Sequence, residues 1–341
     1  MTVQQHILQT LTKCGHYQLT EADRTLIEKE GLESYIFQKI ASKQYRKTKL
    51  DPACIDRVKH AIHANVHLQK PLPILYFQGG YKLWRFPTSP EVDWAEFFNL
   101  AYVLSYIAPI AAAYNPGITL SYYIHTLLPE KHDNLTTKEI EQYITSFQTL
   151  INLFLKYTPT NISIRIWKDA DLYGRDEYFA TLDEVYKEAE KQYEAMTPER
   201  KTKYKKLGEL NIKWHGQEDW TKLTTSEKEE KIRIGGIWEL AGTANLHRID
   251  HTAKGNDKIL LMTVSTPQFI NIGSTKTSVT KHWTGFGVLE QTENGYNERI
   301  LSPSQFEKAN TLPYTLEPIH IIPLKNFSTI RVYPTPFSFT T

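Results

Sequence analysis

The sequence predicts an α/β fold: a Rossmann-like, mostly parallel sheet flanked by helices, with an N-terminal helical cap and a helical insertion. Three observations carry this. Residues 73–167 read as strand, helix, strand, helix, strand, the order that builds parallel strands with crossover helices. Residues 1–70 show helical periodicity throughout. A stretch dense in Lys and Glu separates those first strands from a later region of β character. The organisation expected is a helical cap, residues 1–70, on an α/β core, residues 71–341, that includes a charged helical insertion at 174–245.

Within the cap, Ile7, Leu8 and Leu11 form one apolar face, and Leu26, Ile27, Leu32, Tyr35, Ile36 and Ile40 continue the helical spacing. Asp51-Pro52 opens another helix, with Asp as N-cap and Pro at the first position, where its missing N–H costs nothing. Pro71 and Pro73 end that helix. Ile74 to Phe77 is then a short apolar run closed by Gly79-Gly80, the pattern of a buried strand. A strongly apolar helix follows from Asp93 to Tyr114 and stops at Asn115-Pro116-Gly117. Ile118 to Ile124 is the second strand. Thr136 and Glu139 have capping-box spacing at the start of the next helix, and Asn161 to Trp167 alternates as the third strand. Residues Lys187–Lys206 predict a solvated helix pair or a lid. Later strands are expected at 259–264, 269–272, 285–290, 319–322 and 329–333, interrupted by a short helix at 303–310.

Composition narrows the class. Hydrophobic residues are 40% and charged residues 23%, ordinary for a globular chain and wrong for collagen or wholesale disorder. Forty Lys and Arg against 38 Asp and Glu leave a net charge of +2, which argues against a nucleic-acid coat protein. Cys14 and Cys54 are the two cysteines, too few for a disulfide framework and without C-x-x-C spacing, so buried thiols in a reducing compartment are expected. The N-terminus lacks a secretory pattern, and the longest apolar run, Leu100 to Tyr114, is shorter than a membrane helix needs. A cytoplasmic location with no membrane partner is the expectation.

Four constellations could carry chemistry. Gly79-Gly80 with Lys82 and Arg85 follows a strand, where open α/β sheets bind ligands; it suits a phosphate or carboxylate but lacks P-loop spacing. Asp93 and Glu96 share one face at a helix start, either as caps or as carboxylates that hold a substrate amine or act as a base. His247, Arg248 and His251, with Lys254 and Lys258, suit an anion pocket better than a metal, because H-E-x-x-H is missing and no third ligand is evident. Gly273 to Ser278, with Ser274, Thr275 and Lys276, resembles an anion nest, and Trp283 beside Gly285 and Gly287 suggests a substrate wall. The two glycines equally fit strand positions packed against another element.

The order of these motifs resembles the isonitrile (isocyanide) synthase family, the group that includes the fungal dityrosine-pathway protein. The matching residues are Ile74 to Gly80, Lys82, Asp93 with Glu96, Tyr114-Asn115-Pro116-Gly117, His247 or His251, Lys258 and Thr266-Pro267-Gln268. Residues 73–157 match best. Two family motifs differ here: Lys82 is followed by Leu-Trp-Arg instead of Ser-Pro-Asn, and Gln268-Phe269 stands where the family has Trp-His. The resemblance implies transferase- or lyase-type carbon–nitrogen chemistry in secondary metabolism, without metal or cofactor. The α-amine of an aromatic amino acid condenses with the ketone of a pentulose phosphate and becomes an isonitrile. It implies Lys276, Ser274 and Thr275 for the phosphate, Lys82 and Arg85 for the carboxylate, and Glu96 with His247 or His251 for proton transfer. Asp93, Arg248, Lys258 and Trp283 complete the expected substrate site, so the partners are an amino acid and a sugar phosphate.

Two other readings compete. One is an aminoacyl-using condensing enzyme whose Lys-rich helix contacts a tRNA, although nucleic acid is the weaker partner here. The other is a binding protein without catalysis on an α/β scaffold.

Overall fold

A computed structural model describes residues 1–46, 48–77, 90–132, 135–213, 220–248, 257–262, 269–273 and 285–334, with the backbone alone at 131–132, 210–213, 242–248 and 303–304. The N-terminal region holds helices α1 (Val3–Lys13), α2 (Glu21–Glu30), α3 (Leu32–Ile40) and α4 (Pro52–His67). Side chains close both α1 and α2 with capping boxes, and Asp51 caps α4 by accepting a hydrogen bond from the Cys54 N–H. Leu8 departs from the expected face: Val3, Ile7 and Leu11 point inward, and Leu8 is exposed. An i, i+4, i+8 stripe is one face of a helix, and Leu8 falls beside it.

The α/β region then runs β1 (Leu72–Phe77), α5 (Trp94–Ala113), β2 (Ile118–Ile124), α6 (Leu127–His132), α7 (Thr137–Leu155) and β3 (Ile162–Lys168). Helices α8 (Arg175–Glu194), α9 (Pro198–Lys213) and α10 (Thr225–Arg248) lead back to β4 (Ile259–Met262) and β5 (Ile270–Asn271). The five strands form a parallel sheet of order β3-β2-β1-β4-β5, the strand order of a Rossmann-like fold. Alternation sorts its side chains between two cores. Ile74, Tyr76, Leu120, Tyr122, Ile164 and Leu261 join the main core with the helices; Leu75, Phe77, Tyr123, Leu260 and Met262 face the other way and pack with Phe269.

The last region, β6 (Phe286–Thr292), β7 (Gly295–Leu301), α11 (Pro303–Ala309), β8 (Thr315–Pro318) and β9 (Thr329–Tyr333), builds a separate mixed sheet of order β7-β6-β9-β8. The strand expected at 319–322 lies instead at 315–318. Ile319 and Ile322 are buried loop residues, and the apolar run Ile319-His320-Ile321-Ile322 imitated a strand.

Helix α5 fills the span expected from Asp93 to Tyr114, with those two residues as its caps. Its twenty residues are long and apolar enough to cross a membrane, yet 83% of its most apolar stretch is buried within the protein. It is apolar on every side because it packs against the parallel sheet, α3 and the second sheet. Trp94 is the wedge at its start: the indole Nε1–H donates to the Thr329 carbonyl at 2.8 Å and the ring meets Phe327 edge-on at 4.9 Å.

The charged insertion is a packed three-helix unit. The span Lys187–Lys206 covers the junction of α8 and α9, and both helices pack on α10. Val185, Ala189, Tyr193, Ile237 and Ala241 form a small core of their own under the charged exterior. Cys14 and Cys54 are both free and buried, as the composition predicted.

Candidate active site

In open α/β sheets, ligands bind beyond the carboxyl ends of the strands, where the strand order reverses. Here β1 connects toward β2 on one side while β4 lies on its other side, so the reversal falls between Phe77 and Met262. A series of rings crosses this edge. Phe269 meets Phe77 edge-on at 5.1 Å, Phe77 meets Tyr123 at 5.0 Å, and Tyr123 meets His125 edge-on at 5.1 Å.

The series ends on a buried carboxylate. Ile124 and Lys168 are the last register partners of β2 and β3, so His125 and Asp169 emerge side by side. Asp169 is fully buried. Its Oδ1 accepts from the Thr126 N–H at 2.7 Å, the Thr126 hydroxyl at 2.5 Å, the Leu127 N–H at 3.1 Å and its neighbour Ala170 N–H at 2.8 Å. Its Oδ2 accepts from the Leu127 N–H at 3.2 Å and lies 3.5 Å from Nδ1 of His125. Burial alone would raise the Asp169 pKa, but the hydrogen bonds and the charge of His125 outweigh it and hold the carboxyl below its usual range. A cleft of about 370 Å³ is lined by Thr126, Glu130, Lys168 and Arg175, among others; the Arg175 guanidinium grips Glu130 with two hydrogen bonds of 2.5 and 2.6 Å.

A second polar group is buried where α5 begins. Asp93 Oδ1 accepts from the Ala95 N–H at 2.8 Å, and Glu96 Oε2 accepts from the Asp93 N–H at 2.8 Å, which makes the pair a capping box. The Tyr143 hydroxyl donates to Glu96 Oε1 at 3.3 Å. One turn on, Asn99 donates to the Tyr76 hydroxyl at 3.0 Å and accepts from the Tyr122 hydroxyl at 3.2 Å. Burial pushes both of these phenols up, so they stay protonated.

Of the residues singled out in the sequence, Asp93, Glu96 and Lys258 are described in full. Lys258 precedes β4, with its ammonium 2.8 Å from Asp257 and 5.4 Å over the Trp167 ring; Arg165 lies 5.0 Å over the same ring. His247 and Arg248 occupy the last turn of α10, and their side chains lie outside the described residues. Lys82, Arg85, His251, Ser274, Thr275, Lys276 and Trp283 also lie outside the described residues. Gly287 is a strand position of β6 pressed against α5, the packing alternative of the two read from the sequence. Among the described residues, no group of three or more His, Cys, Asp or Glu could hold a metal ion.

His125 and Asp169 were missed by the sequence reading. A signal was present: His125 is the first residue after the strand expected at 118–124 and Asp169 the second after the one expected at 161–167, and each is a polar residue at a carboxyl end.

No known protein family matches the chain by sequence, and no curated protein is significantly similar to it. The crystal structure of the PvcA protein from Pseudomonas aeruginosa is similar in fold, with a TM-score of 0.56, 13% sequence identity, 89% of this chain covered and 100% of that chain. At that identity the likeness establishes a shared α/β fold across nearly the whole chain.

Proposed function

We propose that this chain is an isonitrile synthase-like enzyme that condenses the α-amine of an amino acid with the ketone of a sugar phosphate. The observation that carries the reading is the placement of the matching motifs. Residues 74–80 contain the carboxyl end of β1, Asp93 and Glu96 begin α5, and Tyr114 to Gly117 closes α5 before β2. All three belong to the β1–α5–β2 unit: β1 ends at the carboxyl edge where the strand order reverses, whereas Tyr114 to Gly117 lies at the opposite, amino edge, where the Gly117 carbonyl accepts from the Leu72 N–H. The fold shared with PvcA is consistent with this.

In this reading Lys276, Ser274 and Thr275 bind the phosphate, Lys82 and Arg85 bind the amino-acid carboxylate, and Glu96 with His247 or His251 moves protons. Asp93, Arg248, Lys258 and Trp283 line the substrate site. The chemistry needs two anion sites close to an acid/base group, so that bound substrates are held in a reactive approach.

The test is a ligand-induced thermal shift with ribulose 5-phosphate, tyrosine and tryptophan, repeated on Lys276→Ala. A ligand at 100 times its Kd stabilises the native state by about 2.7 kcal/mol. A shift with the sugar phosphate that disappears in the variant is the expected result. No shift with any of the three ligands moves the assignment to an aminoacyl-using enzyme or a non-catalytic binding protein.

A further inference from the structure

We propose that His125 and Asp169 form an oriented proton-transfer dyad at the carboxyl edge of the parallel sheet, with His125 the proton-transferring residue and Asp169 its positioning partner. The inference rests on the preceding functional reading only for the identity of the substrate.

The geometry has three parts. Strand pairing fixes both residues: His125 and Asp169 directly follow the register partners Ile124 and Lys168 in adjacent parallel strands. Asp169 is fully buried, and four donors from Thr126, Leu127 and Ala170 anchor its Oδ1, so the carboxylate has one orientation. That orientation turns Oδ2 toward Nδ1 of His125 at 3.5 Å, while the Tyr123 ring packs edge-on against the imidazole at 5.1 Å. A buried carboxylate behind Nδ1 selects the tautomer with the proton on Nδ1, and proton exchange then falls to Nε2. Helix capping alone accounts for the bonds to the Thr126 and Leu127 N–H groups, but not for an imidazole placed against the second oxygen.

The step is a simple transfer. Neutral His125 takes a proton from a substrate ammonium at Nε2, leaving a free amine and an imidazolium whose charge Asp169 balances. The free amine attacks the ketone carbon of the sugar phosphate and forms a C–N bond, and one of its protons moves to the former ketone oxygen to give a carbinolamine. The imidazolium then returns its proton to that hydroxyl, which leaves as water as the C–O bond breaks and the nitrogen lone pair closes the C=N bond of an iminium. Among the described residues, the titratable groups facing the ring are Asp169 on the β3–α8 connection and Tyr123 on its own strand, with Tyr173 and Tyr178 coupled to Tyr123. Burial raises the Tyr123 phenol, so it stays neutral and Asp169 is the charged group of the two.

The test uses the full chain with ring-labelled histidine, the His125 signal being assigned by its loss in His125→Gln. In the wild type, the nitrogen shifts of the neutral ring should report the tautomer protonated on Nδ1. Asp169→Asn should reverse the tautomer to the one protonated on Nε2, because the donors on Oδ1 leave the amide NH2 facing Nδ1. The Nε2-protonated tautomer in the wild type, or a ring still protonated on Nδ1 in a folded Asp169→Asn chain, overturns the dyad. The tautomer is read on the wild type alone, so it decides even if that variant does not fold.

Turnover of tyrosine with ribulose 5-phosphate separates the two claims. Wild-type turnover that survives in His125→Gln overturns the proton-transfer role and leaves the reaction assignment standing. If the wild type turns over nothing, the assignment fails separately, and the dyad stands or falls by its tautomer.

Discussion

A Cβ added to Gly287 would fall 2.4 Å from the carbonyl carbon of Trp94, so strand β6 lies directly on the first turn of α5. The contact joins the second sheet to the helix that opens the candidate site. The methyl group of Gly287→Ala meets backbone on one side and the Trp94 Cβ on the other, with nothing flexible to move aside. The substitution should destabilise by about 3 kcal/mol, the upper end for overpacking a dense core. Chemical unfolding measures it; wild-type stability in the variant would mean that β6 and α5 are not in contact in solution.

The helical insertion depends on a second close approach. A Cβ on Gly208 of α9 would meet the Gly236 nitrogen of α10 at 2.4 Å and the Ile232 carbonyl at 2.5 Å, while one on Gly236 would meet the Tyr204 carbonyl at 2.9 Å. In an isolated helix Gly→Ala gains about 1 kcal/mol. Here packing should reverse the sign, more for Gly208→Ala than for Gly236→Ala. Because Val185, Tyr193, Ile237 and Ala241 form a core separate from that of the sheet, the damage should stay local. Limited proteolysis should cut Gly208→Ala within α8–α10 and spare the sheet. A variant as resistant as the wild type would refute the crossing.

What the sequence made legible follows from how local each signal is. Asp51-Pro52, Thr136 with Glu139, and Asn115-Pro116-Gly117 mark their boundaries with neighbouring residues, and the helices and strand beside them start and stop where those marks predict. The capping of α5 by Asp93 and Glu96 was readable from spacing for the same reason. His125 with Asp169 was not, because the pair exists only after β2 and β3 align in register. Gly287 with Trp94 is likewise created by a contact between sheets, and glycine spacing alone does not separate close packing from ligand approach.

Both thiols should be inert in the native state. Burial pushes Cys14 up to about 12 and Cys54 up to about 11, and both side chains are almost wholly covered. The thiolate is the reactive form, and at neutral pH almost none is present. Iodoacetamide should label neither cysteine in buffer and both in denaturant, as mass spectrometry would show. Fast native labelling of either would contradict the packing of α1 or α4.

Asp23 should make the helical cap acid-sensitive. Its Oδ2 accepts from the Tyr17 hydroxyl at 2.7 Å, the Thr20 N–H at 2.9 Å and the Thr20 hydroxyl at 2.8 Å, and its Oδ1 lies 2.6 Å from the Lys39 ammonium. Burial pulls the pKa upward, but Lys39, Thr20 and Tyr17 together hold it far below the usual carboxylate range. A carboxyl depressed on folding stabilises fully above its unfolded pKa of about 3.9, and that stability drains away as the pH falls toward the folded value. Asp23→Asn should therefore cost most at neutral pH, about 3 kcal/mol if the pair behaves like other buried pairs that lose one partner. The gap between variant and wild type should narrow by roughly 1 kcal/mol between pH 7 and pH 3, since the unfolded wild-type carboxyl is already mostly protonated at the lower pH. Urea unfolding of both chains at the two pH values measures the gap directly, and other titrating groups cancel in the comparison. A gap independent of pH would show that Asp23 is not held as a carboxylate by Lys39.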